Sequence, residues 1–278
     1  MDDWFYSFLT ALWVVFNSNF WAALAGAFAG AVAASKFASR QQKRDDLIRM
    51  VNETNAAISI SYSACEAYLA HKAGLIDDLT NAYDRALEAY KELLSSGSDQ
   101  CPSISLNMIE PNLGLVQCSA LQDLVYRIPS TTAVIRLAAI LNHRNATLNG
   151  HMVERNELIR AMRLMDGADR TALFFGLARK DGFTDKTYPH LVNSLSELIA
   201  DCIFFSWLVC ELLQAEGIRI RGDKRWLPPI VPASFQKQVA DGVIPDPDNY
   251  AGWHNLAPRW RELAAPLYKK YSIPKQQH

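Results

Sequence analysis

An arginine and a histidine stand seven residues apart in the middle of the chain, at Arg144 and His151, with Asn145 directly after the arginine. Seven residues are close to two turns of an α-helix, so both side chains and Leu148 are predicted to share one stripe. A guanidinium offers a planar fork of donors to phosphate oxygens, and an imidazole titrates near neutral pH as a general acid or base. Two polar groups are thus predicted where the core or a partner helix would lie, and a cleft or a subunit interface would account for them, because burying an unpaired guanidinium is costly.

The stretch from His143 to His151 resembles the HEPN family, whose ribonuclease members carry an arginine, four to six residues and then a histidine. That family favours Asn, Asp or His directly after the arginine, and Asn145 fits this preference. The resemblance implies a helical bundle that dimerises, so that both copies face one composite cleft in which RNA is cut without a metal ion. It also implies that Arg144 stabilises charge on the phosphate, that His151 moves the proton and that Asn145 orients the pair.

A structural alternative accounts for the same residues without catalysis. It places Arg144 in an ion pair with an acid on a neighbouring helix and His151 on a backbone carbonyl. Arg136 and His143 have the same spacing on the same predicted helix, so the pattern also occurs without the preferred second residue. Gly150 favours catalysis, because a glycine inside a helix costs about 1 kcal/mol and predicts that another backbone or a substrate approaches there.

Apolar residues at helical spacing predict the elements that position this motif. Helices are expected over 38–72, 77–94, 115–127, 130–165, 168–179 and 189–216, with shorter ones near 233–240 and 256–270. Gly74 and Asp166-Gly167 are expected to end helices, and residues 95–114 are expected to form a loop. No β-alternation of any length occurs, so the predicted class is all-α, with four principal helices and a C-terminal strap packed over them.

The helix at 189–216 is the most apolar of these, nearly all round, and is therefore expected at the centre of the body. Within it, three acids argue against a membrane span: Glu197, Asp201 and Glu211.

The N-terminal part of the chain has the composition of a membrane anchor. From Trp4 to Ser35 it carries no ionised side chain, and a spanning helix needs about 20 apolar residues. Four cations follow directly: Lys36, Arg40, Lys43 and Arg44. An Asn-Ser-Asn sequence at 17–19 interrupts the run, which leaves two layouts. One is a long tilted helix over about 4–35, and the other is an interfacial helix at 3–16 followed by a span capped within that interruption.

The charges around the anchor predict its orientation, because Lys and Arg next to a span stay in the cytoplasm. Here they lie only on the C-terminal side, whereas Asp2 and Asp3 precede the span. We therefore expect a single-pass protein of the inner membrane, with its N-terminus outside and its body in the cytoplasm. A cleavable signal peptide is the alternative, with Ala31-Val32-Ala33 resembling a cleavage site, although such peptides begin with positive charge.

Small residues recur at every fourth position of the predicted span, at Ala22, Gly26, Gly30 and Ala34. Association in lipid depends on close packing, so this stripe predicts a self-association face. The alternative is that alanine and glycine are simply common in membrane spans.

Composition limits which other kinds of functional site the chain is expected to contain. The formal net charge is −1 over 278 residues, so any contact with nucleic acid must be local. The cysteines are odd in number and widely spread, which indicates reduced structural thiols: Cys65, Cys101, Cys118, Cys202 and Cys210. Three histidines without partners at ligand spacing indicate no metal site: His71, His190 and His254. No cofactor motif occurs, and no cofactor is expected.

Two further groups of polar residues have an ordinary and a functional interpretation. Three residues that follow the histidine could assist the site but are typical of a solvated helix face: Glu154, Asn156 and Glu157. A basic cluster follows the central helix and is typical of a solvated turn, with an RNA or lipid-phosphate contact as the alternative: Arg219, Arg221, Lys224 and Arg225.

Together these features predict an anchor and oligomerisation segment at 1–37, a HEPN-like helical bundle at 38–216 and a Pro/Trp-rich strap with short helices at 217–278. This layout resembles, more narrowly, the membrane-anchored HEPN accessory proteins of bacterial antiviral systems, including those that accompany type VI CRISPR effectors. The resemblance implies an oligomeric defence or stress effector that cleaves RNA or works with an RNA-guided effector. The alternatives are an oligomeric membrane pore in which the motif is structural, and a non-catalytic membrane scaffold. Expected partners are further copies of the chain, the lipid bilayer, and RNA or an RNA-guided effector.

Overall fold

The computed structural model describes residues 2–16, 19–96, 106–114, 116–179 and 182–245. Its α-helices are α1 (Asp2–Phe16), α2 (Asn19–His71), α3 (Asp77–Ser96), α4 (Cys118–Arg127), α5 (Thr132–Arg163), α6 (Gly167–Phe175), α7 (Thr187–Arg221) and α8 (Gln236–Ala240). The β structure of these residues is limited to one isolated bridge between Ala178 and Thr184. The predicted all-α class is confirmed.

The chain divides into two compact units, Met1–Arg49 and Met50–His278. The first unit contains α1 and the N-terminal part of α2, and its large apolar side chains are exposed, among them Trp4, Phe8, Trp13 and Phe28. α1 ends at Phe16 and α2 begins at Asn19, and the two residues between them, on which the choice between the two predicted layouts depends, lie outside the described residues. The cap predicted at residue 18 lies outside the described residues.

The prediction that the helix ends at Gly74 is wrong. Instead of ending, the helical path continues through a π-helical turn at Lys72–Ile76, in which the Asp77 N–H donates to the Lys72 carbonyl five residues earlier. Gly74 is exposed, and a Cβ added to it would meet nothing within 4 Å. Nothing around this glycine requires the chain to turn, so the helix passes through it and α3 follows directly.

The expected break at Asp166-Gly167 is confirmed, and its cause is a helix cap. α5 ends at Arg163, and the Asp166 carboxylate accepts from the Asp169 N–H at 2.8 Å to start α6. α6 in turn ends at Gly176, whose left-handed φ of 66° is the usual glycine terminator. The helix expected over 256–270 lies outside the described residues.

The prediction that the helix around 189–216 is central is confirmed. α7 is buried without interruption from Cys202 to Glu211. It runs antiparallel to α2, since Ser61 donates to the Ser206 carbonyl at 2.7 Å and Cys210 lies 3.7 Å from the Ile58 carbonyl.

Two of the described helices are long and apolar enough to cross a membrane, and they differ in burial. The apolar window of α7 is 72% buried, whereas that of the N-terminal helix is 0% buried. The first value is typical of a core helix.

The chain after α7 lies along α2. Asn55 binds this segment twice, donating to the Pro229 carbonyl and accepting from the Val231 N–H, both at 2.9 Å. Further along, Gln238 of α8 donates to Glu66 at 2.9 Å. These contacts hold residues 229–238 against the body. Because later residues of the segment contact later residues of α2, the segment runs in the same direction as α2.

Candidate functional site

Arg144 projects from α5 toward α7, where its Nε lies 3.2 Å from a carboxylate oxygen of Asp201. The two side chains are only 26% and 13% exposed, so the ion pair is largely removed from water. The carboxylate neutralises the guanidinium, which weakens any attraction that it could exert on an external phosphate. This geometry agrees with the structural alternative, in which Arg144 forms an ion pair with an acid on a neighbouring helix.

Asn145 faces the opposite neighbour, α2. Its Oδ1 accepts a hydrogen bond from the buried Tyr68 hydroxyl at 2.9 Å, and the Asn149 side chain donates to the Asn145 carbonyl at 2.8 Å. The amide is therefore held by Tyr68 and by the next turn of its own helix. Consecutive residues of α5 thus join it to α7 on one side and to α2 on the other.

The Tyr68 hydroxyl also lies 2.9 Å from the Cys118 sulfur, in a buried group that includes Cys202. Burial raises the pKa of Tyr68, and the neighbouring thiols of Cys202 and Cys118 raise it further. Burial likewise raises the pKa of Cys202 and of Cys118. The thiols stay protonated at neutral pH, so this group orders the core and supplies no nucleophile.

His151 lies about two turns after Arg144 on α5, and both residues are partly buried. The buried stripe of α5 consists of apolar residues at spacings of three or four, with two gaps filled by arginine: Leu137, Leu141, Leu148, Met152, Ile159 and Met162. At the turn of His151 the buried position belongs to Met152, and the histidine beside it is only partly buried. Its Nδ1 is shielded from solvent and has no hydrogen-bond partner among the described residues.

Gly150, which was expected to mark a close approach, is exposed. A Cβ added there would meet nothing within 4 Å. Nothing in the described part of one chain approaches this glycine. The predicted composite cleft requires a second copy and stays a prediction.

The second arginine on the α5 stripe is Arg155, which sequence reasoning missed. It is buried, donates to the Ile109 carbonyl at 3.0 Å and to the Tyr188 hydroxyl at 3.2 Å, and lies 5.6 Å from the centre of the Tyr188 ring. The signal that could have found it is its place in the apolar stripe, between Met152 and Ile159. Asp201 carried a similar signal as one of three acids within the most apolar helix.

Residues 106–114 are bound to α5 by a row of polar side chains that continues from Arg155. Asn156 donates to the Pro111 carbonyl at 2.7 Å, Arg160 pairs with Glu110 at 2.7 Å, and Arg163 also binds Glu110. The hydrogen bond from Arg160 lowers the pKa of Glu110, and the positive charges of Arg163 and Arg160 lower it further. Asn156 therefore holds this segment, while Glu154 and Glu157 lie on the solvated face.

One groove of the body lies away from the motif. It has a volume of about 350 Å³ and lies between α2 and the start of α4. Its lining is Ser59, Ile60, Ser63, Ala64, Ala67, Val116 and Gln117. Arg144, Asn145 and His151 do not contribute to it. Elsewhere in the described ranges, no three His, Cys, Asp or Glu side chains lie close enough to hold a metal ion, and His254 is outside those ranges.

Comparison of the chain with family models, curated proteins and solved structures finds no match. The fold and the site define an all-helical protein with an exposed apolar N-terminal helix and an interhelical polar cluster centred on Arg144, Asn145 and Tyr68. The HEPN resemblance depends on residues 144–151 alone and stays a prediction.

Proposed function

We propose that the protein is a single-pass inner-membrane protein, anchored by its N-terminal helices, with the helical body in the cytoplasm. The observation that carries this proposal is the N-terminal apolar window, none of which is buried. Each exposed Leu or Phe side chain costs about 1.5–3 kcal/mol in water compared with an apolar environment. A bilayer removes this cost, and the cations from Lys36 to Arg44 favour the cytoplasmic side for the body.

The anchor has a face on which copies of the chain can associate. Ala22, Gly26, Gly30 and Ala34 are exposed, and a Cβ added to either glycine would meet nothing within 4 Å. We expect Gly26→Ile with Gly30→Ile to lower the particle mass in detergent, because bulk on this face prevents close helix packing. Phe28→Ile, on the other side of the helix, is the control and should leave the mass unchanged.

Within this oligomer, the motif has a structural role. Arg144 and Asn145 are engaged with Asp201 and Tyr68, so they hold three helices together. We therefore propose a membrane-anchored oligomeric effector that acts at the bilayer, by altering its permeability or by assembling partners. The defence or stress role of this effector depends on the resemblance described above.

One observation favours a second candidate, which is RNA cleavage by the motif. His151 Nδ1 has no hydrogen-bond partner in the described chain, and Arg144 keeps 26% of its side-chain surface exposed. A second copy could complete a site around these two groups. The candidate is worth testing because imidazole is the commonest general acid and base near neutral pH.

One experiment separates the two candidates. The full-length chain is reconstituted in vesicles that contain a fluorescent dye, and RNA is added outside and inside. The bilayer function predicts dye leakage with intact RNA, and leakage should persist in His151→Ala. The nuclease function predicts RNA cleavage that is lost in His151→Ala, a change that leaves the Arg144–Asp201 pair in place. Arg136→Ala with His143→Ala is the matched control, since both residues are exposed on α5 at the same spacing. Vesicles that retain the dye, together with RNA that stays uncleaved, would favour the scaffold function.

A further inference from the structure

The chain reverses direction at the C-terminal end of α7, and residues 218–226, which include the last turn of that helix, are here called the basic turn. It carries four cations, Arg219, Arg221, Lys224 and Arg225. Two exposed apolar side chains stand at its ends, Ile218 at 60% and Trp226 at 43% exposure. Cations flanked by an exposed tryptophan and an aliphatic residue are typical of surfaces that meet the headgroup layer of a membrane.

Both ends of the basic turn are fixed at the same point of α2. At one end Gly217 packs against Thr54, where an added Cβ would lie 3.1 Å from the threonine methyl group. At the other end Asn55 holds the Pro229 carbonyl and the Val231 N–H. Gly222 makes the reversal with φ 48° and ψ −139°, a conformation that favours glycine. The basic turn is therefore a built feature of the body and not a loose end.

The antiparallel packing of α7 on α2 decides where the basic turn lies. Along α7, Ser206 is opposite Ser61, Cys210 is opposite Ile58 and Gly217 is opposite Thr54. The residues that follow extend past Thr54 toward Met50. The basic turn thus occupies the end of the body at which α2 enters it.

The charge of this surface is positive after its acids are counted. Glu216 is buried and pairs with Arg219, whose Nε lies 2.9 Å from the carboxylate. Asp223 is the second acid within 216–226, so four cations face two acids and the net charge is +2. Arg219 stays 67% exposed in spite of its ion pair. Lys224 and Arg225 are exposed as well.

The length of chain between anchor and body limits how far this surface can lie from the membrane. The fifteen residues from Lys36 to Met50 follow Ser35, where the uncharged segment ends. In a helix they span about 22 Å, at about 1.5 Å per residue. A polybasic surface that reaches the membrane is attracted by anionic lipid, at about 1 kcal/mol, or fivefold in association, per cation.

We propose that the basic turn docks on anionic lipid headgroups of the membrane that anchors the chain. This inference depends on the proposed anchoring. It assigns the exposed tryptophan and isoleucine to the interface and the cations to lipid phosphates. An RNA backbone carries the same phosphate groups, but binding to RNA would need neither the short chain that connects this surface to the anchor nor the flanking apolar residues.

The test measures hydrogen exchange of residues 218–226 in the full-length chain, reconstituted in nanodiscs of two compositions. One contains phosphatidylcholine alone, and the other contains phosphatidylcholine with phosphatidylglycerol. We expect slower exchange in the anionic nanodiscs, with the difference removed by high salt. Lys224→Gln with Arg225→Gln should reduce the association about 25-fold, at about fivefold per cation, and so abolish the difference. The matched control is Arg85→Gln with Lys91→Gln on α3, which contacts the opposite end of α7 through Tyr83 and Tyr188. This control variant should still show slower hydrogen exchange in the anionic nanodiscs.

Equal exchange in both nanodiscs would overturn the inference while leaving the anchoring intact, because the chain would still be inserted. Slower exchange on adding RNA to phosphatidylcholine nanodiscs, without any response to anionic lipid, would overturn it in favour of an RNA surface. A chain that fails to insert in either nanodisc would overturn the proposed anchoring itself, and with it this inference.

Discussion

The Arg144–Asp201 ion pair gives the sharpest prediction for stability. Removing one partner of a fully buried pair costs about 3–5 kcal/mol, whereas an exposed pair is worth less than about 1 kcal/mol. With side chains 26% and 13% exposed, the pair lies between these limits. We therefore expect Asp201→Asn to lower the free energy of unfolding by about 2 kcal/mol. In a domain of this size, that corresponds to a fall in Tm of about 4–8 °C.

The assay is thermal unfolding of the full-length chain in detergent, followed by circular dichroism, with a double-mutant cycle. Arg144→Met combined with Asp201→Leu removes both charges, so it should restore most of the loss and give a coupling of about 2 kcal/mol. The matched control is Asp46→Asn, whose partner Arg49 is 67% exposed, and its Tm should change by less than about 2 °C.

Equal Tm changes for Asp201→Asn and Asp46→Asn would refute the reasoning. The guanidinium of Arg144 would then contribute nothing to the contact between α5 and α7. This result would favour the nuclease candidate, which requires the Arg144 guanidinium to bind an external phosphate.

Three further predictions concern other parts of the body. Arg155→Met should lower the free energy of unfolding by about 3 kcal/mol, because the buried tyrosine loses a hydrogen bond and residues 106–114 lose a contact with α5. Unchanged hydrogen exchange of residues 106–114 would contradict this prediction. The Glu110 carboxylate has a pKa below its ordinary 4.5, chiefly through its hydrogen bond with Arg160. Its stabilising effect is therefore complete above that ordinary value and is lost as pH falls through the lower folded value. Hydrogen exchange of residues 106–114 should therefore rise as pH falls below 4.5 in the native chain but not in Glu110→Gln. Burial raises the pKa of Cys65 to about 12, so iodoacetamide at pH 8 should label it only after unfolding, and labelling of the folded chain would show that the thiol is accessible.

Helical periodicity was sufficient to predict the helical class, the central position of α7 and the break at Asp166, because each follows from local spacing or from a cap. It was not sufficient at Gly74. A glycine costs helix stability but does not by itself end a helix, and the π-helical turn there carries the chain from α2 into α3.

The partners of the candidate site were harder to predict, because periodicity gives the face of a helix and not its register against a neighbour. The sequence placed Arg144 on an inward stripe, and the structure adds that Asp201 of α7 meets it there. His151, about two turns further along α5, is partly buried beside the buried Met152. Arg155 fits that stripe but was overlooked, since its hydrogen-bond partner belongs to a segment without periodicity.

Membrane anchoring is the claim on which the account depends most, and extraction with alkaline carbonate tests it directly. The full-length chain should stay in the membrane pellet. Leu24→Arg with Phe28→Arg should move it to the supernatant, because each arginine costs about 2.5–3.5 kcal/mol at the centre of a span. Val153→Arg with Leu164→Arg makes the same change at exposed apolar positions of the body and should leave the chain in the pellet. Release of the unmodified chain by carbonate would contradict the account.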